Sequence, residues 1–203
     1  TSDFETRLGA RVLPDFFDVI DDATAATHDG RPLLGFYRTD LEGVAPTPVK
    51  VSEKGVFKTY LHTRQPIKGF TASTGHARLM GGFGAYAPSI SNLFIRASES
   101  KPLADLKKQL IAMIQQRNKP YGLLIRKLDY PTAASMGELR AIAAQTAQSS
   151  GGKLVPQPVL TYKIYPDGRE ELVRGLRFRG FTARSLRDIL AATTETQTFE
   201  LMN

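Results

Sequence analysis

The sequence predicts an α+β fold built on a mainly antiparallel sheet with two or three helices. Strand-like runs bounded by turn residues dominate the chain, and helical periodicity occurs in only a few separate places. Strands and helices do not alternate regularly, as they would in a parallel sheet. With 203 residues, of which 41% are hydrophobic, the chain can bury one good core. We therefore expect a single domain, residues 1–203, with a surface excursion at 129–157.

Short apolar or alternating runs predict the strands of the first hundred residues. The turn residues Glu53-Lys54-Gly55 predict a hairpin between two of these runs. The runs are 16–20, 33–37, 47–52, 56–61 and 92–96.

The second hundred residues begin with the clearest helix, 102–116, in which Leu103, Leu106 and Leu110 share one face. Ser100 is a candidate cap for that helix. A strand at 121–126 follows. The excursion at 129–157 is rich in Ala, Ser, Gln and Gly and contains a candidate short helix, 135–147.

The strongest hairpin signal is the turn Pro166-Asp167-Gly168 between the strand candidates 159–165 and 170–178. Thr182 follows as a candidate cap for a last helix that carries Leu186, Ile189 and Leu190.

The net charge of +7 lies entirely in the second half of the chain, where residues 101–203 hold 16 Lys/Arg against 9 Asp/Glu. A basic face suits nucleic acid or an acidic partner, or it is a solvated face that pairs with another domain. No aromatic stacking set or nucleic-acid motif accompanies the charge, so we expect no specific nucleic-acid binding. Five arginines occur there with no acid among them: Arg174, Arg177, Arg179, Arg184 and Arg187.

Composition also bears on membranes and metals. No apolar run approaches 18 residues, so we expect no membrane span. The absence of cysteine excludes disulfides and thiolate ligands or nucleophiles. His28, His62 and His76 are too far apart in sequence for a helical ligand pair, so we expect no metal site made from this chain alone.

A glycine-rich, polar run, 71–84, is the best candidate for a functional loop. It contains Ser73-Thr74-Gly75-His76-Ala77-Arg78 and precedes Pro88-Ser89-Ile90-Ser91-Asn92. Its glycines would let the backbone approach a bound peptide closely, with polar side chains beside it. The alternative is a long structural loop.

Two acidic residues, Asp40 and Glu42, lie two apart before Gly43. On an extended segment they share one face, from which they could orient a metal ligand or act as acid/base groups. The alternative is a charged turn that Gly43 closes.

Taken in order, these motifs resemble the C-terminal half of the TldD/PmbA family of zinc metallopeptidases, once called modulators of DNA gyrase. The resemblance begins with Leu8–Thr24 and Gly35–Gly43, the latter carrying Asp40-x-Glu42-Gly43. It continues through Ser73–Arg78 and Pro88–Asn92 to the hairpin sequence Tyr162-Lys-Ile-Tyr-Pro-Asp-Gly-Arg-Glu-Glu-Leu-Val-Arg-Gly175. It covers most of the chain apart from the excursion.

The resemblance implies a fragment of a bacterial, cytoplasmic peptidase whose HExxxH zinc motif precedes this chain and whose cysteine follows it. Zinc is then a cofactor of the parent protein, and no catalytic residue or metal ligand lies in this chain. The parent would act on a peptide or unfolded polypeptide, as a homodimer or as a heterodimer with a paralogue. The alternative is a non-catalytic binding or regulatory partner subunit of the gyrase-modulator type.

At the level of residues, the resemblance implies two groups in this chain. Asp40 and Glu42 are candidates to orient a metal ligand from outside its coordination sphere. The substrate-binding group is Ser73, Thr74, Gly75, His76, Arg78 and Asn92.

Overall fold

The computed structural model describes residues 4–79, 86–129 and 157–199. Antiparallel strands dominate these residues, which confirms the predicted α+β class. The chain divides into two compact units, one within Thr1–Glu99 and Leu186–Leu190, the other within Ser100–Ser185 and Ala191–Met202. The expectation of a single domain stays a prediction.

The first unit is centred on a four-stranded antiparallel sheet with the order β5-β4-β1-β8. Two small two-stranded sheets pair β2 with β3 and β6 with β7. The strands are β1 Phe17–Asp21, β2 Thr27–His28, β3 Arg31–Pro32, β4 Val49–Glu53, β5 Val56–Phe57, β6 Ala77–Leu79, β7 Tyr86–Pro88 and β8 Leu93–Ala97.

The predicted hairpin turn between β4 and β5 is confirmed. Lys54 and Gly55 have φ of 46° and 72°, the pair of positive angles that a two-residue hairpin turn requires. Gly55 is required here because a Cβ would meet the carbonyl oxygens of Leu13 and Pro14.

The strand predicted at 33–37 is wrong, because the segment is held by loop partners instead. The amide of Leu33 donates to Ala26 O, and that of Tyr37 donates to Ala23 O. Between them, the Gly35 amide donates to the side chain of Asn92. The backbone amides of this short apolar run thus form hydrogen bonds without joining a β-ladder.

In the second unit, the described residues form the helix α1 Leu103–Gln116 and an antiparallel sheet with the order β11-β10-β9. Its strands are β9 Gly122–Asp129, β10 Gln157–Ile164 and β11 Glu170–Val173. A Cβ at Gly122 would collide with Leu110 and Ile114 of α1, so the absence of a side chain there lets helix and strand approach.

The helix prediction is confirmed, but its predicted cap is wrong. Pro102 occupies the N-cap position, and no neighbouring residue caps the helix with its side chain. Ser100 therefore does not cap α1. Instead, the carboxylate of Glu195 accepts the Leu103 amide at 3.1 Å from both oxygens. A residue 92 positions away therefore satisfies the free helix terminus.

Two predictions near the end of the chain need correction. Strand β11 ends at Val173, and Gly175 with φ of 73° turns the chain away, so residues 174–178 do not extend the hairpin. The last helix is a short 3-10 helix, Ala183–Asp188, rather than an α-helix.

The candidate helix 135–147 lies outside the described residues. Within the part of the chain described, no helix is both long and apolar enough to cross a bilayer.

Candidate functional site

Residues 73–76 of the candidate loop are tied to the extended segment around His62. Thr74 donates its amide to His62 O at 3.2 Å, and its hydroxyl accepts the His62 amide at 2.8 Å. The Ser73 hydroxyl donates to the same carbonyl at 3.2 Å and accepts the Gly75 amide at 3.1 Å. The polar groups of Ser73 and Thr74 are thus used within the loop, and they fix its backbone.

Gly75 allows a close approach between the loop and another segment. Its φ is +72°, and a Cβ would lie 2.6 Å from Cα of Pro46. The Tyr37 hydroxyl donates to the Gly75 carbonyl at 2.8 Å. Glycine is therefore required both by the backbone angle and by the space available.

The side chain of His76 is fully buried and bonded through both ring nitrogens. Nδ1 lies 2.8 Å from the Thr74 carbonyl oxygen, which can only accept, so Nδ1 carries a hydrogen. Nε2 lies 3.0 Å from Oδ1 of Asp21, which is also fully buried. The same carboxylate accepts the amide of Ser91 at 3.0 Å and its hydroxyl. The buried carboxylate of Asp21 therefore joins the imidazole of His76 to Ser91.

Asp40 and Glu42 both bind backbone amides. Asp40 is buried, and its carboxylate accepts the amides of Glu42, Val44 and Ala77 at 2.8–3.1 Å. The carboxylate of Glu42 accepts the Arg64 amide at 2.6 Å. Asp40 therefore holds a turn against the residue that follows His76, while Glu42 holds the segment after His62.

Asn92 connects three points of a second loop. Its Oδ1 accepts the Gly35 amide at 3.0 Å. Its Nδ2 donates to the carbonyls of Asp22 and Ala25 at 3.2 and 3.1 Å. The side chain thus holds the 22–35 segment beside Ser91 and, through Ser91, beside Asp21.

Arg78 differs from the other candidates because its main partner in the described residues is an aromatic ring. Its side chain is half-buried, and the guanidinium carbon lies 4.8 Å above the Tyr37 ring. No carboxylate in the described residues forms an ion pair with it. Burial raises the pKa of Tyr37, and the charge of Arg78 opposes that rise. The guanidinium is therefore held against Tyr37, and within the described residues it forms no ion pair.

The structure thus brings most of the predicted residues together around one loop. Ser73, Thr74, Gly75 and His76 form its backbone, with Arg78 and Asp40 beside it. Asn92 is joined to it through Ser91 and Asp21, whereas Glu42 lies apart at Arg64. Sequence reasoning missed Asp21 and Tyr37; the available signal was a carboxylate at the end of the apolar run Phe17–Asp21.

The described residues do not provide a metal centre. Nowhere in 4–79, 86–129 or 157–199 do three His, Asp or Glu side chains converge as metal ligands would. Both nitrogens of His76 are occupied by hydrogen bonds. His62 lies in an aromatic cluster, 4.1 Å from Phe70 between ring centroids, and burial lowers its pKa. These residues do not fit zinc, and we derive no step through a metal from them.

Comparison with known proteins agrees with the order of motifs. The sequence profile of the PmbA/TldA metallopeptidase C-terminal domain matches residues 1–157. A metalloprotease from Methanocaldococcus jannaschii is 35% identical over 97 residues, which are 47% of this chain and 20% of that protein. A metalloprotease from Archaeoglobus fulgidus is 35% identical over 75 residues, 37% of this chain and 16% of that protein. The chain thus spans about a fifth of the length of these curated relatives.

The crystal structure of TldE from Thermococcus kodakarensis is similar in fold. It matches 100% of this chain and 39% of its own length, with a TM-score of 0.62 and 16% sequence identity. At that identity the likeness concerns the fold alone. Because the family profile matches more than half of the residues, the chain belongs to the PmbA/TldA metallopeptidase C-terminal domain family.

Proposed function

We propose that this chain is the C-terminal domain of a TldD/PmbA-like zinc-dependent peptidase, to which it contributes part of the substrate groove and surfaces for assembly. Family membership and the two relatives named as metalloproteases support this proposal. Because the described residues do not fit zinc, we propose that the zinc ligands lie outside this chain.

The observation that carries the proposal is the position of Arg78 in β6, directly after an immobilised loop. Residues 73–77 are tied on three sides by side chains remote in sequence: Asp21, Tyr37 and Asp40. A group held this way loses little freedom on binding, so it can position a substrate precisely. The half-buried guanidinium of Arg78 would meet a carboxylate or a carbonyl oxygen of a peptide.

The other candidates then act mainly by positioning. We propose that His76, Gly75, Ser73 and Thr74 set the path of the loop, because their polar groups and close contacts are internal. Asp40 holds the loop from one side, and Asn92 holds the neighbouring loop from another. Glu42 is the remaining candidate for orienting a metal ligand of the parent protein, because it makes one backbone bond and keeps its second oxygen.

The proposal also covers the substrate, location and partners of the parent protein. The parent protein would cleave a peptide or unfolded polypeptide in the cytoplasm, as a homodimer or with a paralogous subunit. We propose no specific nucleic-acid partner. Arg174, Arg177 and Arg179 are exposed on a loop, and Arg184 is exposed on the 3-10 helix, so nucleic-acid binding should be weak, sequence-blind and lost steeply with salt. A sequence-dependent gel shift at physiological salt would contradict that part.

The test uses the complete protein encoded by the gene that contains this chain. Cleavage of quenched fluorescent peptides is measured with zinc and after treatment with a chelator, beside residues 1–203 alone. We expect cleavage that the chelator abolishes in the complete protein and none in the isolated chain. If the complete protein holds no metal and cleaves nothing, the non-catalytic partner subunit is the correct function.

A further inference from the structure

An apolar cavity of about 670 Å³ lies against one face of the four-stranded sheet in the first unit. One row of side chains crosses all four strands at its wall. Phe57 pairs with Ser52, Ser52 pairs with Val19, and Val19 pairs with Ile95. Directly paired residues point to the same face, so these four side chains share the cavity wall. Ser52 is the polar member of an otherwise apolar row.

The cavity is uncharged, and all but one of its side-chain hydroxyls are already bonded. No Asp, Glu, Lys, Arg or His is found among the described residues that line it. The Thr59 hydroxyl donates to Tyr60 O, and the Tyr60 hydroxyl donates to Glu5 O at 2.7 Å. Ser52 is only 2% exposed, and its buried hydroxyl finds no hydrogen-bond partner within the described part of the chain.

A buried hydroxyl without a partner costs free energy that a hydrogen bond would recover. The cavity volume falls in the range of small-ligand sites, which are mostly apolar with a few convergent polar groups. Its rim is apolar as well, with Ile95 65% exposed. A charged ligand would lose its hydration without finding an opposite charge, whereas a pure hydrocarbon would leave Ser52 unpaired.

We propose that this cavity binds a small neutral molecule that is largely apolar and carries one hydrogen-bonding group directed at Ser52. Long-chain primary alcohols and simple amides have this chemistry. The inference rests on the first unit alone and is independent of the proposed peptidase function.

The test measures binding to the purified chain with the neutral fluorescent probe 1-aminoanthracene, followed by displacement with 1-decanol and with decanoate. We expect 1-decanol to displace the probe and decanoate to do so at least tenfold more weakly. Ser52→Ala should weaken the binding of 1-decanol about fivefold, as expected for one lost hydrogen bond. Ser98→Ala is the matched control, because its hydroxyl donates to Phe16 O outside the cavity.

A rim variant, Ile95→Asp, keeps the proposal testable if changes inside the cavity unfold the chain. The side chain is exposed, so the fold should persist, and we expect probe binding to fall at least tenfold. Equal displacement by decanoate and 1-decanol would overturn the proposal, as would an unchanged 1-decanol affinity in Ser52→Ala. A dimer in light scattering that dissociates in Ile95→Asp, with no probe bound, would identify a second copy of the chain as the occupant instead.

Discussion

The imidazole of His76 lies 3.0 Å from the carboxylate of Asp21, 55 residues earlier in the chain, and both side chains are fully buried. The contact joins the end of β1 to the loop that precedes β6. Because Asp21 also accepts two hydrogen bonds from Ser91, the pair connects three segments at one point. The candidate loop is therefore held in position by a buried hydrogen-bonded pair.

Breaking this pair from one side should be strongly destabilising. Asp21→Asn and His76→Gln each change one partner of a buried hydrogen-bonded pair and leave the other side chain without its matched partner. We expect each change to lower the free energy of unfolding by about 3–5 kcal/mol, measured by urea denaturation.

The double variant separates pairing from packing. If the two side chains act as a pair, Asp21→Asn/His76→Gln should cost less than the two single losses added together, by at least about 1 kcal/mol. Strict additivity of the two losses would show that Asp21 and His76 stabilise the fold independently of each other.

Gly75 should tolerate alanine much less well than a glycine of the same backbone angle in open space. Gly30 is that control, with φ of +75° and nothing within 4 Å of a Cβ, against φ of +72° at Gly75. Gly30→Ala pays only the backbone cost, about 1 kcal/mol. Gly75→Ala must also displace Pro46 and should cost about 1–3 kcal/mol more. Equal melting temperatures of the two variants would show that the close approach of Gly75 to Pro46 does not affect stability.

The remote cap of α1 can be tested against the cap that sequence reasoning chose. The bond from the Leu103 amide lowers the pKa of Glu195, so its stabilising effect is present above the unfolded pKa and is lost as pH falls through the folded value. Glu195→Gln should therefore lower stability at pH 7 and have less effect at acid pH, whereas Ser100→Ala should be neutral. Thermal melts at pH 7 and pH 3.5 check both variants. A larger fall in melting temperature for Ser100→Ala than for Glu195→Gln would contradict the observed cap.

His62 should make the fold sensitive to mild acid. Burial lowers its pKa from the ordinary value of 6.5, so below about pH 6.5 the unfolded chain binds a proton that the folded chain excludes. Stability should then fall with decreasing pH, by at most about 1.4 kcal/mol per pH unit, until the folded pKa is reached. Urea denaturation between pH 7.5 and 5 should show a smaller slope for His62→Phe than for the wild-type chain. Parallel slopes would assign the acid sensitivity to another group.

Local patterns were sufficient to predict much of the fold. Helix 103–116 and the strands at 17–21, 49–53 and 93–97 follow from the spacing of apolar residues, and Lys54-Gly55 follows from turn chemistry. The strand prediction for 33–37 was wrong because the hydrogen-bond partners of this segment, Ala23, Ala26 and Asn92, are loop residues that no periodicity indicates.

The candidate site shows the same division. Its residues were proposed from the motifs Ser73–Arg78, Asp40–Gly43 and Pro88–Asn92, but the sequence offered no way to see which side chains face inward. His76 is the most conspicuous residue of the motif, yet it is fully buried, because a carboxylate 55 positions away is its partner. Long-range polar pairs of this kind depend on how strands converge, which local spacing does not encode.

The most direct test of the central claim, that the loop around His76 borders the peptide groove, is the KM for peptide cleavage by the complete protein carrying Arg78→Ala. Arg96→Ala is the matched control, since its guanidinium also lies over an aromatic ring, 5.8 Å from Phe94, on an exposed strand of the same unit. We predict that Arg78→Ala raises KM about tenfold with kcat and melting temperature near wild type, while Arg96→Ala changes none of these. An unchanged KM for Arg78→Ala, or an equal rise in both variants, would contradict the account.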